Sequence, residues 1–283
     1  MKNRDLLVNV KHVWEEMANQ LEKVYERRES ENISYLLLED LFRISKADIL
    51  MNEAKGLDRR LLSNALKRLL IHEPIHYVTG CVDFYERKFK IETGALIPRP
   101  ETEELVALII EENRNKKLKI MDIGVGSGCI AITLQLEMKA MVSGIDISNK
   151  ALNIASKNAQ HLGADVDLFL CDILNQDLPV SGLDMLVCNP PYIPQSEKQK
   201  MHLNVLNFEP EIALFVKDDD PLVFYKRIAT EGRRILKKGG RIYFEIHERF
   251  GNKVEMLMSD LGYSDVKLYP DMQRKDRFIR CIL

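Results

Sequence analysis

The chain has no excess of charge of either sign: 41 Lys and Arg stand against 43 Asp and Glu, a formal net charge of −2 over 283 residues. It therefore lacks the global positive field that holds a phosphate backbone, which disfavours nucleic acid as a partner. Long apolar runs are also missing. The longest, Leu105 to Ile110, is far short of the roughly 20 apolar residues a bilayer span needs, so no membrane partner is expected. Met1 to Met17 carries charges throughout and has no secretory pattern, so the expectation is a chain that is not exported. Cysteine is sparse and unpaired by spacing: Cys81, Cys129, Cys171, Cys188 and Cys281 are scattered and odd in number. They read as reduced thiols used as small apolar residues, which fits a cytoplasmic protein. Repeats and low-complexity segments are absent. His72 and His76 have the i,i+4 spacing of a metal pair, but Pro74 lies between them and no third ligand is near, so no metal is expected.

What is present is an ordinary soluble composition, 46% hydrophobic and 30% charged, long enough for one large and one small domain. From Leu6 to Tyr25 the apolar residues Leu6, Val10, Val13, Trp14, Met17, Leu21 and Val24 recur at three- and four-residue steps, which predicts an amphipathic helix. A second helix is expected over Ser30 to Arg43. Ser45 with Asp48 resembles a capping box opening a third, and Asp58 can cap a fourth running through Leu70. Residues 1–80 are thus expected to form a small helical domain.

Pro74 stops the helical pattern, and Val82 to Tyr85 and Lys88 to Ile91 then alternate about Glu86-Arg87, which predicts a β-hairpin linker over 81–97. A helix is expected from Glu103 to about Asn113. Beyond it, short apolar strands alternate with helices: Lys119 to Ile123, Met141 to Ile145, Val166 to Cys171, Met185 to Cys188 and Arg241 to Ile246. Such alternation predicts an α/β domain over 98–283 with a doubly wound, mostly parallel sheet. Val266 to Tyr269 and Arg277 to Leu283 have no helix-length segment between them, so an antiparallel pair is expected at one edge.

The first of these strands runs into Asp122-Ile123-Gly124-Val125-Gly126-Ser127-Gly128. Glycines suit a place where a ligand lies against bare backbone at the carboxyl edge of a sheet. Their spacing departs from G-x-G-x-x-G, so a pyrophosphate cradle is not the natural reading. Asp146, at the end of the second strand, is placed to accept two ribose hydroxyls, and Asp172-Ile173, ending the third, to meet an adenine. Taken singly, the loop could be a tight turn and Asp146 a helix cap. Together they outline a nucleoside site with no phosphate-binding element, the shape of S-adenosylmethionine.

The fourth strand delivers Asn189-Pro190-Pro191-Tyr192 to the same edge. The prolines cannot continue a central strand, and they fix φ so that the Asn189 side chain and the Pro190 carbonyl can converge. Two such acceptors can hold the N–H groups of a nitrogen whose lone pair is delocalised, and aim it at a methyl donor. Tyr192 is expected to stack on the flat acceptor group. The alternative is a rigid turn with no chemistry.

Over nearly its whole length the chain resembles the release-factor glutamine methyltransferases, the PrmC or HemK family. The residues that carry this are Glu73 to Gly80, Phe84-Tyr85, Leu96 to Glu104, the glycine loop, Asp146 and Asn189 to Ile193, the most specific being Ile97-Pro98-Arg99-Pro100-Glu101-Thr102-Glu103. The resemblance implies a seven-stranded Rossmann-like methyltransferase sheet. It also implies S-adenosylmethionine as donor with S-adenosylhomocysteine as product, and the glutamine of the Gly-Gly-Gln loop of release factors as acceptor. The N-terminal domain would help grip that protein and Arg99 would join the substrate contacts, with the enzyme acting as a monomer. Enzymes that methylate a ribosomal-protein glutamine are similar in the same motifs, and nucleic-acid amino-methyltransferases share the Asn-Pro-Pro-Tyr loop. Glu86 and His247 stand where the family commonly has glycine, and Asp218-Asp219-Asp220 replaces a glycine-bearing stretch.

Overall fold

The computed structural model describes residues 6–114, 116–178 and 180–283. They divide into two compact units, one made of the chain up to Cys81 together with His202–Phe208, the other of Val82–Met201 and Glu209–Leu283.

The first unit runs β1 (Leu6–Asn9), α1 (Val10–Leu21), α2 (Arg27–Phe42), α3 (Lys46–Leu50), β2 (Ala54–Leu57), α4 (Arg59–Leu69) and α5 (Ile75–Thr79). Its start corrects the sequence expectation of a helix from Leu6. Residues 6–9 pair antiparallel with 54–57, and the helix begins only after Asn9, whose side chain accepts the His12 amide. Asn9 is a strong N-cap, and a strand partner 45 or so residues away is invisible to a local helical period. The other two caps are as expected. Ser45 and Asp48 form a reciprocal capping box, and Asp58 accepts the amides of Arg60 and Leu61. Pro74 starts a short helix rather than only ending one, since its ring costs nothing at a helix entrance. Met17, Leu21, Leu37, Leu38, Ile44 and Leu69 are shut off from water in this unit's core.

The second unit opens with the hairpin β3 (Cys81–Phe84) and β4 (Arg87–Lys90), then α6 (Pro100–Glu112), β5 (Lys119–Ile123), α7 (Cys129–Met138), β6 (Met141–Asp146), α8 (Asn149–Leu162), β7 (Val166–Leu170) and β8 (Leu183–Cys188). After them come β9 (Ile193–Pro194), α9 (Leu203–Phe208, which clusters with the first unit), β10 (Phe215–Val216), α10 (Val223–Ile235), β11 (Leu236–Glu245), α11 (Gly251–Asp260), β12 (Ser264–Pro270) and β13 (Asp276–Ile282).

Seven strands form the central sheet in the order β12-β13-β11-β8-β5-β6-β7, and β13 alone runs against its neighbours. Helices cover both faces, as β11 shows residue by residue. Tyr243 reaches α6 through its hydroxyl on Glu112, 2.6 Å away, whereas Phe244 packs edge-on against Tyr225 of α10 at 5.2 Å between ring centres. Chain order reverses between β5 and β8, and a doubly wound sheet opens its ligand crevice at that point.

The hairpin turn carries Tyr85 and Glu86 at φ +48° and +60°. Positive φ at both central residues is what a two-residue turn of the favoured hand demands, which is the physical reason for glycine there. Glu86→Gly should therefore stabilise the protein by up to about 1 kcal/mol, read as a raised urea midpoint with unchanged slope. An unchanged or lowered midpoint would show that the turn is unstrained.

Candidate active site

Register builds the site. Ile123 of β5 pairs with Cys188 of β8 on one side and with Ile145 of β6 on the other. Gly124 and Asn189, which follow β5 and β8, and Asp146, the last residue of β6, therefore emerge side by side on one edge. The Cys188 thiol donates to the Ile123 carbonyl at 2.8 Å, across the point where the sheet reverses.

Gly124, Gly126 and Gly128 all have positive φ, but two of them answer different demands. A Cβ on Gly128 would lie 2.7 Å from Ile132 Cδ1 and 3.2 Å from the Ala155 Cβ, so glycine there allows helices to pack. A Cβ on Gly124 would meet no protein atom within 4 Å, and Gly124 lines a cavity. That glycine leaves space for something other than protein. Asn158, fully buried in α8, holds the arrangement together by hydrogen bonds to the Lys90 backbone and the Ser127 carbonyl.

Gly124, Gly126, Asp146, Asp172, Ile173 and Asn189 line this cavity together, whereas Asp122, Val125, Ser127 and Gly128 lie behind it. Asp146 accepts the Gly126 amide at 2.9 Å on one oxygen and the Ser148 amide at 2.8 Å on the other. Capping α8 falls to Ser148, which accepts the Ala151 amide. A carboxylate has about four lone-pair positions, and with the Ile147 amide as a third donor Asp146 keeps capacity for a diol hydroxyl. Burial raises its carboxyl above the ordinary range, opposed by those amides. Asp172 closes its own turn, accepting from the Leu174 amide and the Asn175 side chain. Apolar walls come from Ile147, Ile173 and Phe224, and none of the described residues lining the cavity is Lys or Arg. Diol acceptors, apolar walls and no cation fit a nucleoside without phosphates.

A second cavity abuts the first and shares Leu96, Asn189, Pro190 and Ala213 with it. Arg99, Tyr192, Ile193, Met201 and Leu214 complete its walls. Two adjoining cavities with a common wall can seat two molecules side by side, an arrangement that suits group transfer between them. Asn189 donates through Nδ2 to Thr102 Oγ1 at 3.1 Å, which leaves Oδ1 as its free end. The Tyr192 hydroxyl donates to Glu245 Oε1 at 3.0 Å, and burial first, then Glu245, hold the phenol far above its usual range, so it stays protonated.

Arg99 faces the second cavity while donating to Glu209 at 2.7 Å, and Glu209 also accepts the Ile97 amide at 3.2 Å. Glu209 is almost wholly buried, so this pair staples the segment before α6 to the rim of the site. His247 packs its ring edge-on to Tyr192 and against Phe250, and burial lowers its pKa below the usual histidine value. Asp218 accepts both the amide and the hydroxyl of Ser196, which secures the turn after β9. Of the two spaced histidines, His76 contacts the Cys81 carbonyl through Nδ1 and His72 stacks edge-on with Tyr25. Among the described residues no helix is long and apolar enough to cross a membrane.

A family model described as "Methyltransferase domain" matches residues 114–275, and one described as "PrmC N-terminal domain" matches 12–80. A release factor glutamine methyltransferase of Bacteroides thetaiotaomicron is 41% identical over 92% of this chain and 95% of its own length. The chain belongs to the release factor glutamine methyltransferase family. A second member, from Flavobacterium psychrophilum, is 37% identical over 96% of this chain and 98% of its own. A methyltransferase from Pyrococcus furiosus superposes with a TM-score of 0.54 over 78% of this chain and 98% of that one, at 15% identity, a likeness of fold.

Sequence reasoning missed several residues of this family member's site. Ile147 lines the first cavity although nearly half exposed, and an apolar residue between Asp146 and the cap Ser148 was a readable signal. Gly94, Ala95 and Ile212 come from distant segments with no motif to mark them.

Asp122, fully buried behind the glycine loop, reaches no partner at hydrogen-bonding geometry. Burial pushes its carboxyl up to about 7, tempered by the nearby Ala131 amide. The folded state thus keeps a proton that the unfolded chain loses near pH 4, so stability falls as pH rises through the window from about 4 to about 7. Asp122→Asn cannot ionise. Relative to wild type it should gain up to about 1.4 kcal/mol per pH unit across that window, read from melts at pH 5 and 8.5. Parallel stability profiles would rule out a proton held by Asp122.

Proposed function

We propose that this chain transfers a methyl group from S-adenosylmethionine to the side-chain nitrogen of the glutamine in the Gly-Gly-Gln loop of peptide chain release factors. It would act as a monomer in the cytoplasm, without direct contact to nucleic acid. The observation that carries the reading is the shared wall: Asn189 and Pro190 belong to both cavities, and the Asn189 NH₂ is tied back to Thr102.

In this reading Asp146 accepts the ribose hydroxyls, Ile147 and Ile173 flank the base, Asp172 meets its amino edge, and Gly124 and Gly126 let the donor lie on backbone. Ser127, Val125, Gly128 and Asp122 shape the loop from behind. Bound there, the donor supplies an electrophilic methyl on sulfonium. An amide nitrogen is a poor nucleophile because its lone pair is shared with the carbonyl. Asn189 Oδ1 and the Pro190 carbonyl would each accept one of its N–H groups, orienting it for in-line attack and stabilising the positive charge that grows on it. Such acceptors act most strongly in the transition state, where the N–H groups are most acidic. No base need remove a proton first. Pro191 holds the loop rigid, Tyr192 lines the acceptor chamber and excludes water, and Arg99 lies at its mouth. The helical unit, proposed as residues 1–80, would contribute grip on the protein substrate, with 81–97 as linker and 98–283 as the methyltransferase domain.

Labelled methyl should pass from S-adenosylmethionine to full-length release factor and not to a variant whose loop glutamine is replaced. Asn189→Ala should lower kcat on the order of 100- to 1000-fold. No labelling of either full-length bacterial release factor, under conditions where the donor binds, would sink the assignment.

A further inference from the structure

A carboxamide has two ends of similar shape and opposite hydrogen-bonding character. Asn189 can serve an acceptor N–H only if its oxygen, not its NH₂, faces the second cavity. Nothing in the Asn189 side chain itself makes that choice, and the neighbours behind it must.

Those neighbours form a short directed chain. Glu245, at the end of β11, and Thr102, in the first turn of α6, are 1% and 2% exposed. Thr102 Oγ1 donates to Glu245 Oε2 at 2.7 Å and accepts from Asn189 Nδ2 at 3.1 Å. The other Glu245 oxygen accepts the Tyr192 hydroxyl at 3.0 Å. Burial raises the Glu245 carboxyl, opposed by the Thr102 and Tyr192 hydrogen bonds and by Arg277; as a carboxylate it only accepts, and the phenol spends its single proton on it. The lone proton of the Thr102 hydroxyl is therefore committed to Glu245, which leaves only lone pairs facing Asn189. A reversed Asn189 would set its oxygen against those lone pairs and its NH₂ against the incoming N–H groups, losing hydrogen bonds at both ends.

We propose that Thr102 and Glu245 are positioning residues for methyl transfer, which hold the Asn189 carboxamide with its oxygen toward the acceptor through the chain Glu245, Thr102, Asn189. The inference rests on the reading that Asn189 Oδ1 accepts the substrate N–H. It also gives the segment before and into α6 a role. Pro100 opens the helix at its first position, and the Arg99–Glu209 pair anchors the entrance, so that Thr102 stands between Asn189 and Glu245.

The test is a set of variants assayed with full-length release factor. Thr102→Val keeps the shape and removes both hydrogen bonds. Glu245→Gln keeps volume but can donate to Thr102, freeing the hydroxyl proton to meet Asn189 either way round. Each should lower kcat on the order of 10- to 100-fold, as misplacement of a reacting group does. Affinity for S-adenosylhomocysteine and KM for the release factor should move by less than about threefold, because the ground-state contacts remain. Thr102→Ser, which keeps the hydroxyl, should restore most of kcat. In an Asn189→Ala background, Thr102→Val should cost nothing further, since no carboxamide is left to orient.

Rates are compared per folded molecule, judged by thermal melts, and if Thr102→Val does not fold, Glu245→Gln carries the test alone. Wild-type kcat in Glu245→Gln, or losses that multiply in the Asn189→Ala, Thr102→Val double variant, would overturn the positioning role. Full activity in Asn189→Ala would instead overturn the underlying reading of the site, a separate outcome.

Discussion

The site depends on one constraint, the parallel pairing of β5 with β8 and β6, in which Ile123 stands opposite both Cys188 and Ile145. Side chains alternate along a strand, so a slip of one residue would turn each strand's inward and outward faces over. It would bury Asp146 or swing Asn189 away from the glycine loop. Ile120, Met121, Ile123, Met185, Leu186, Val187 and Cys188 are all at most 2% exposed, and such continuous apolar runs resist slippage because both faces are packed. The hydrophobic core of the sheet and the geometry of the reacting groups are thus one arrangement seen from two ends.

Buried carboxylates mark the points where the site is held, and each is compensated differently. Glu209 is neutralised by Arg99 and tied to the Ile97 amide. Breaking a buried pair of this kind typically costs about 3 to 5 kcal/mol, so it acts as a rigid anchor. Glu245 receives two hydroxyl donors and the field of Arg277 against the cost of burial. Asp146 is held by backbone amides and lines the cavity. Asp122 alone is left without a partner, and burial drives it toward its neutral form. The carboxyls beside the cleft are met by hydrogen-bond donors, whereas the one behind the loop is not.

Much of this was legible in the chain because the signals were local. The capping residues Ser45, Asp48 and Asp58, the alternation of strands with helices, and the glycine and Asn-Pro-Pro-Tyr loops all follow from short-range spacing. What was not legible depended on distant partners. Leu6 to Asn9 fitted a helical period yet pair with 54–57. The Arg99 guanidinium is engaged by Glu209, 110 residues away. The Tyr192 hydroxyl is likewise bound to Glu245, 53 residues on.

By itself, the amino-acid sequence determined the fold class, the order of the strand ends and the chemical type of each reacting group, because apolar period, glycine spacing and proline all act on neighbouring residues. Which end of Asn189 faces the acceptor chamber was decided only in three dimensions. That choice belongs to Thr102 and Glu245, which lie 87 residues before and 56 after it and meet it only once α6 and β11 have packed together. A hydroxyl has a single proton, and only the folded chain brings the carboxylate that claims it.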